Sequence, residues 1–76
     1  MEKDVVMNWL DELMNACGVS NLEDVPIFAI EAEIREAEAN IQNMRLWGDH
    51  FGIACNEAYI ETLNDTLERC KNDSTK

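Results

Sequence analysis

Basic residues are scarce in this sequence, with six lysines and arginines against sixteen aspartates and glutamates and a formal net charge of −10. Clusters of Lys and Arg bind phosphates, so this scarcity argues against direct binding of nucleic acid or of an anionic membrane. A basic surface on a partner protein would instead be attracted, with an affinity that weakens as salt is added.

Residues that carry catalysis or bind metals are also few. There is one histidine, His50, and the three cysteines Cys17, Cys55 and Cys70 show no C-x-x-C spacing. An odd number of separated cysteines argues against a disulfide framework or a zinc site and favours free thiols in a reducing cytosol. The sequence also lacks H-E-x-x-H, G-x-S-x-G and glycine-rich phosphate-loop motifs. We therefore predict a cytoplasmic protein that is not an enzyme and uses no metal or cofactor.

Long apolar runs are missing, and none approaches the length of a membrane span. The first residues, MEKDVVMNWLDEL, have neither a basic region nor an unbroken apolar region, so we do not expect a signal peptide. The length of 76 residues fits a single domain. We expect that domain to span residues 1–72 and the polar residues 73–76 to form a disordered tail.

Apolar residues recur at three- and four-residue steps in three segments, which predicts an all-α fold. The first helix should span residues 4–17, with Asp4 as N-cap and Gly18 ending it. The second and longest helix should span residues 25–46, and the third residues 53–71. No segment has the pattern of a strand.

The predicted connections carry helix-start signals. Ser20 and Glu23 have the spacing of a capping box, so we expect a short helical turn at this point, either separate from the second helix or joined to it. Pro26 suits the first turn of the second helix. Asp49, or a neighbour, is the expected cap of the third helix.

Two regular apolar seams predict that the second and third helices pack together as an antiparallel αα-hairpin. The seam of the second helix consists of Ile27, Ile30, Ile34, Ala37, Ile41 and Met44. The seam of the third helix consists of Ile53, Asn56, Ile60, Leu63, Leu67 and Cys70. With the shorter first helix closing one side, the expected architecture is a small three-helix domain.

The roles of three side chains near these seams have two interpretations each. Asn56 either sets the register of the packed helices or lies near the helix start, partly exposed to solvent and hydrogen-bonded to the backbone of a loop. We favour the second interpretation. Trp47 is either a binding anchor or, as we favour, a cap packed over the hairpin end beside Trp9 or Met44. Tyr59 lies on a weakly polar flank of the third helix where the first helix or a second subunit could rest.

A stripe of carboxylates runs along the third helix, one per turn, and we call it the acidic stripe: Glu57, Glu61, Asp65 and Glu68. Amphipathicity alone predicts that these side chains face solvent. It does not explain why so few basic residues lie near these acids to neutralise them. Like charges one turn apart are mildly destabilising, so the excess of acids has a cost in stability. The predicted partner-binding residues are therefore this stripe, with Glu33, Glu36 and Trp47 as secondary contacts.

In composition, a small, strongly acidic and helical chain resembles phage-encoded inhibitors of host defence, including anti-restriction and anti-CRISPR proteins, some of which mimic DNA. The resemblance rests on composition and not on a motif. It implies an inhibitor that occupies the basic surface of a nucleic-acid-handling protein. The alternative is a structural or regulatory hairpin protein that self-associates, for example as a homodimer, through its apolar seams and whose acids serve solubility only.

Overall fold

Three α-helices joined by short connections make up the fold. The computed structural model describes the backbone of residues 2–74 and the side chains of residues 2–71. The helices are α1 (Glu2–Cys17), α2 (Ile27–Trp47) and α3 (His50–Ser74), with a short 3₁₀ helix at Leu22–Asp24. The predicted all-α architecture, a long hairpin with a shorter N-terminal helix, is confirmed.

The central helix is α3, because both α1 and α2 pack against it. Met44, near the end of α2, contacts Asn56 near the start of α3, so these two helices are antiparallel. Trp9 packs on Tyr59 with ring centroids 5.4 Å apart, which places α1 alongside the same helix. The helices together form an elongated body of 43 × 21 × 17 Å.

The corner between α2 and α3 is closed by two complementary caps. Gly48 ends α2 in the left-handed conformation, at φ 71°. The amide of Asp49 then donates to the carbonyl of Met44 over 3.0 Å. The side chain of Asp49 accepts a 3.0 Å hydrogen bond from the amide of Gly52, as an N-cap residue does. Asp49 is therefore the cap of α3, as its position in the sequence predicts.

The start of α1 and the segment before α2 differ from the prediction. Since α1 already begins at Glu2, Asp4 lies inside the helix and is not its N-cap. Gly18, at φ 70°, does adopt the left-handed conformation expected just after the helix. The turn expected from the Ser20 signal is a separate 3₁₀ helix that starts two residues later, at Leu22. Pro26 occupies the N-cap position of α2 and not its first turn.

The bounds of α3 also differ, at both ends. The helix begins at His50, three residues earlier than predicted, because the Asp49 cap lets it include Gly52. It continues through Ser74, so residues 73 and 74 of the expected tail are helical. Residues 75 and 76, the rest of that tail, lie outside the described residues.

The core confirms the seam of α2 and shifts that of α3. Ile30, Ala37 and Ile41 are buried on α2 as predicted, although Ile27 at the helix start is exposed. The most buried positions of α3 lie on and beside its predicted seam: Cys55, Asn56, Tyr59, Leu63 and Thr66. The shift arises because α3 packs against two helices, so its buried face is wider than a two-helix seam. The flank with Tyr59 is where α1 rests, which was one of the two predicted occupants.

Candidate protein-binding surfaces

The acidic stripe lies on the outer side of α3. All four carboxylate side chains, Glu57, Glu61, Asp65 and Glu68, are exposed. At ~100° per residue they lie roughly 160–240° around the helix from Tyr59, which faces the core. The packed face of α3 therefore directs the stripe outward, as amphipathicity predicts.

Little positive charge balances the acidic stripe. Within the described residues, no ion pair involves any of its four carboxylates. Arg69, on the last turns of α3, lies 3.5 Å from Glu23 of the 3₁₀ helix, and both side chains are more than half exposed. An exposed pair of this kind contributes little to stability. The ion-pair partner of Arg69 is thus an acid outside the stripe, although Asp65 of the stripe lines the same small cavity as Arg69 and Glu23.

A second acidic surface lies between α1 and α2, where the two helices leave a groove of about 500 Å³ above α3. We call it the α1–α2 groove. Its carboxylates are Glu12 on α1 and Glu33 and Glu36 on α2. Its other lining residues are mostly apolar or aromatic, among them Trp9, Leu13, Ala37, Met44 and Tyr59.

A hydrogen bond fixes the geometry of this groove. The hydroxyl of Tyr59 donates to Oε1 of Glu33 over 2.8 Å and so joins α3 to α2. Burial raises the pKa of Tyr59 above its ordinary value, and the hydrogen bond to Glu33 and the nearby charges of Glu33, Glu36 and Glu12 raise this pKa further. The three carboxylates thus act together on one point of the groove.

Asn56 is buried and its Nδ2 is hydrogen-bonded, contrary to the favoured interpretation of a partly solvent-exposed side chain. It is only 3% exposed. Its Nδ2 donates to the carbonyl of Gly52 over 2.8 Å and to the sulfur of Met44 over 3.3 Å. Since Gly52 lies in the first turn of α3, the backbone bond is within the helix and not to a loop. The contact with Met44 ties Asn56 to α2.

The corner between α2 and α3 carries exposed apolar side chains. Leu46 is 83% exposed, Trp47 78% and Phe51 53%. The favoured interpretation, that Trp47 caps the hairpin end, is therefore wrong. The reason is that Trp47 is the last residue of α2, so its side chain projects at the end of the helix, beyond Met44, whose sulfur contacts Asn56 of α3.

The predicted contact residues fall on three separate surfaces. The acidic stripe is one continuous surface, whereas Glu33 and Glu36 lie in the α1–α2 groove and Trp47 lies at the corner. Sequence reasoning missed that Trp9, Glu12 and Tyr59 would share the groove. The flank containing Tyr59 was the only signal of it, because facing positions on α1 and α2 depend on how the helices assemble.

The cysteine residues do not form a reactive site in the described part of the chain. Cys17 and Cys55 are free thiols, Cys55 is buried, and the thiol of Cys70 donates a hydrogen bond to the carbonyl of Glu23. Burial, and to a smaller extent the charges of Glu2 and Asp49, raise the pKa of the Cys55 thiol, which disfavours the nucleophilic thiolate. The side chains of residues 2–71 include no group of three potential ligands placed to hold a metal ion.

None of the helices in the described residues is long and apolar enough to cross a membrane.

The sequence matches no family model, and no curated protein or solved structure shows significant similarity to it.

Proposed function

We propose that the protein is a non-enzymatic, acidic binding module that occupies the basic, nucleic-acid-binding surface of a partner protein. In this proposal it acts in a reducing cytoplasm as an inhibitor of the phage anti-defence type, mimicking DNA toward a restriction or CRISPR component. The observation that carries the proposal is the acidic stripe, which is exposed over its whole length and has no ion-pair partner among the described residues.

The spacing of the acidic stripe supports this proposal. Carboxylates on successive turns of a helix stand roughly 5–6 Å apart, within reach of several Lys and Arg side chains of one phosphate-binding surface. Such a partner would gain charge-assisted hydrogen bonds that nucleic acid otherwise makes. The expected mechanism is competition by charge and by steric exclusion, with fast association that slows as salt rises.

The test begins with capture of the partner. The immobilised chain is exposed to a lysate of host cells, washed in steps of increasing salt and analysed by mass spectrometry. A recovered nucleic-acid-binding protein is then purified, and displacement of its DNA or RNA by the chain is measured by fluorescence anisotropy. We expect displacement by the wild type and release of the complex at moderate salt.

Two variants with matched charge decide whether the stripe is responsible. Glu61→Lys with Asp65→Lys reverses the centre of the stripe, and Glu31→Lys with Glu38→Lys reverses two exposed acids of α2. Each pair changes the formal charge from −10 to −6. The stripe variant should lose displacement while keeping its helical circular dichroism, and the α2 variant should retain most of it. Displacement that survives in the stripe variant would refute the proposal.

Self-association is the second candidate, and the exposed corner favours it. Leu46, Trp47 and Phe51 are large apolar side chains exposed near this corner, and a second copy of the chain could cover them. The charge of −10 on each copy opposes that contact, and salt would relieve the opposition. Light scattering over a dilution series at low and high salt tests it: a dimer that forms at high salt and is lost in Trp47→Ser supports this candidate, and a monomer throughout rejects it.

A further inference from the structure

The α1–α2 groove combines an apolar floor with acidic walls. The floor includes Trp9 of α1 and Tyr59 of α3, which meet edge to face at 74° with centroids 5.4 Å apart. The walls carry Glu12 on one side and Glu33 and Glu36 on the other. The groove therefore offers apolar contact along its centre and negative charge along both edges.

The dimensions of the groove suit a helix. At 1.5 Å per residue, its lining from Trp9 to Ala16 covers about 10 Å of α1, and the lining from Glu33 to Met44 covers about 16 Å of α2. Because α1 and α2 both pack on α3 and leave a groove between them, this groove corresponds to the position of the fourth helix in a four-helix bundle. A fourth helix would lay a row of side chains spaced three and four apart along this length.

The charge of the groove selects the chemistry of the occupant. Glu33 is held in place by Tyr59, so it cannot turn away from the groove without breaking a 2.8 Å hydrogen bond. Glu12 and Glu36 are exposed on opposite walls. A second copy of this chain would bring further carboxylates to these walls, since its helices are all rich in acids. A helix with Lys or Arg beside its apolar face would be attracted to both walls.

We propose that the α1–α2 groove docks a basic amphipathic helix of a partner protein. The apolar side chains of that helix rest on Trp9 and Tyr59, and its Lys or Arg side chains pair with Glu12 and Glu36. This site is separate from the acidic stripe, which lies roughly half a turn away around α3. The proposal therefore goes beyond the proposed function and does not depend on it.

A designed peptide tests the groove directly. The probe is a 14-residue peptide of Leu, Ala and Lys, blocked at both ends, with its leucines on one helical face. A peptide of the same composition in scrambled order, without an apolar face, is the control. Both are titrated into a Trp47→Phe protein, in which Trp9 is the remaining tryptophan and reports on the groove. We expect the amphipathic peptide to shift the Trp9 emission to shorter wavelength and the scrambled peptide to leave it unchanged.

Variants of the groove then distinguish it from general charge attraction. In the Trp47→Phe background, Glu12→Lys with Glu36→Lys should weaken peptide binding roughly tenfold or more, and Glu61→Lys with Asp65→Lys, of equal charge, by less than about twofold. Ala16→Phe, at an exposed position of the groove, should block binding without any change of charge. It also serves as the test if the double reversal does not fold, as circular dichroism would reveal.

Three outcomes would overturn the proposal. The first is an amphipathic peptide that leaves Trp9 unaffected, and the second is equal loss of binding in the groove and stripe variants. The third is unchanged binding in Ala16→Phe. The stripe variants serve here only as the control. A failure of this proposal therefore does not contradict the proposed function of the acidic stripe, and a failure of that function does not contradict this proposal.

Discussion

The hydroxyl of Tyr59 donates a 2.8 Å hydrogen bond to Oε1 of Glu33, and the two residues lie 26 positions apart in the sequence. Tyr59 is 5% exposed, whereas Glu33 is half-buried at the wall of the α1–α2 groove. A hydrogen bond between a buried hydroxyl and a carboxylate is stronger than one between neutral groups. It joins α3 to α2 at a point that apolar packing alone would not fix.

Removal of the Tyr59 hydroxyl should therefore destabilise the protein. We expect Tyr59→Phe to lower the free energy of unfolding by about 1–2 kcal/mol, as measured by urea denaturation. Glu33→Gln, which keeps an acceptor oxygen, should cost less. In a double-mutant cycle, Tyr59→Phe should have little further effect once Glu33 is replaced by Ala, because the hydrogen bond is already lost. Additive effects of the two substitutions would contradict the bond.

Burial of Tyr59, together with the same hydrogen bond, predicts how stability changes at alkaline pH. The folded state raises the pKa of Tyr59 above its ordinary value of about 10, so the folded state holds the phenol proton more tightly than the unfolded state. This contribution is fully present below pH about 10 and is lost as pH rises above it, by at most about 1.4 kcal/mol per pH unit. The stability of the wild type should fall more steeply above pH 10 than that of Tyr59→Phe.

The comparison with Tyr59→Phe also serves as the control for other groups. Cys55, whose pKa is also raised in the folded state, destabilises both proteins in the same direction as pH rises. Its effect therefore cancels in the difference between the two proteins. Parallel urea denaturation curves for both proteins at pH 8, 10 and 11 give that difference. Equal losses of stability across this range would show that Tyr59 ionises as readily in the folded state as in the unfolded one.

The elements of this fold could be predicted from local patterns, and their arrangement only in part. The three- and four-residue spacing of apolar residues predicts α2 and its buried positions Ile30, Ala37 and Ile41, because a helix packed on one neighbour buries one seam. It could not fix the buried face of α3, where Tyr59 and Thr66 are buried, because α3 packs against two neighbours at once. Thr66 tolerates burial because its hydroxyl donates to the carbonyl of Thr62 over 3.0 Å.

The candidate surfaces, like the arrangement of the helices, could be predicted only in part. The acidic stripe follows from spacing along one helix, so its exposure could be read from the sequence. The α1–α2 groove depends on the distance between two helices that are remote in sequence, which no local pattern reports. The exposure of Trp47 was predicted wrongly because a small domain usually needs its large side chains in the core, and here Tyr59, Ile30 and Leu63 fill that role instead.

The three thiols should differ in reactivity. Cys55 is 1% exposed and its pKa is raised, whereas Cys17 and Cys70 are half-buried. Because alkylation needs an accessible thiolate, we expect iodoacetamide at pH 8 to modify Cys55 about tenfold more slowly, or slower still, than the other two. Peptide mass spectrometry over time gives the three rates. In 6 M guanidinium chloride the rates should converge, and a fast Cys55 in the folded protein would show that its site is open.

The acidic stripe should reduce the stability of the protein that carries it. Glu61 lies four residues from both Glu57 and Asp65, and like charges at this spacing repel. Glu61→Lys replaces two repulsions by two attractions, so we expect the free energy of unfolding to rise by about 0.5–1 kcal/mol at low salt. Glu61→Gln, which removes the repulsion only, should give about half of that gain.

Salt separates this electrostatic gain from a change in packing. Because Glu61 is exposed, the advantage of Glu61→Lys should shrink as sodium chloride is raised from 20 mM to 500 mM, where the Debye length falls to a few ångströms. Thermal unfolding monitored by circular dichroism at each salt concentration measures it. An advantage that does not change with salt would have another origin, and a less stable Glu61→Lys would mean that the stripe carries no repulsion. The variant can also be more stable at low salt and yet fail to bind the captured partner. In that case the carboxylate of Glu61 favours binding at the expense of stability. A surface that serves solubility only does not require such a carboxylate.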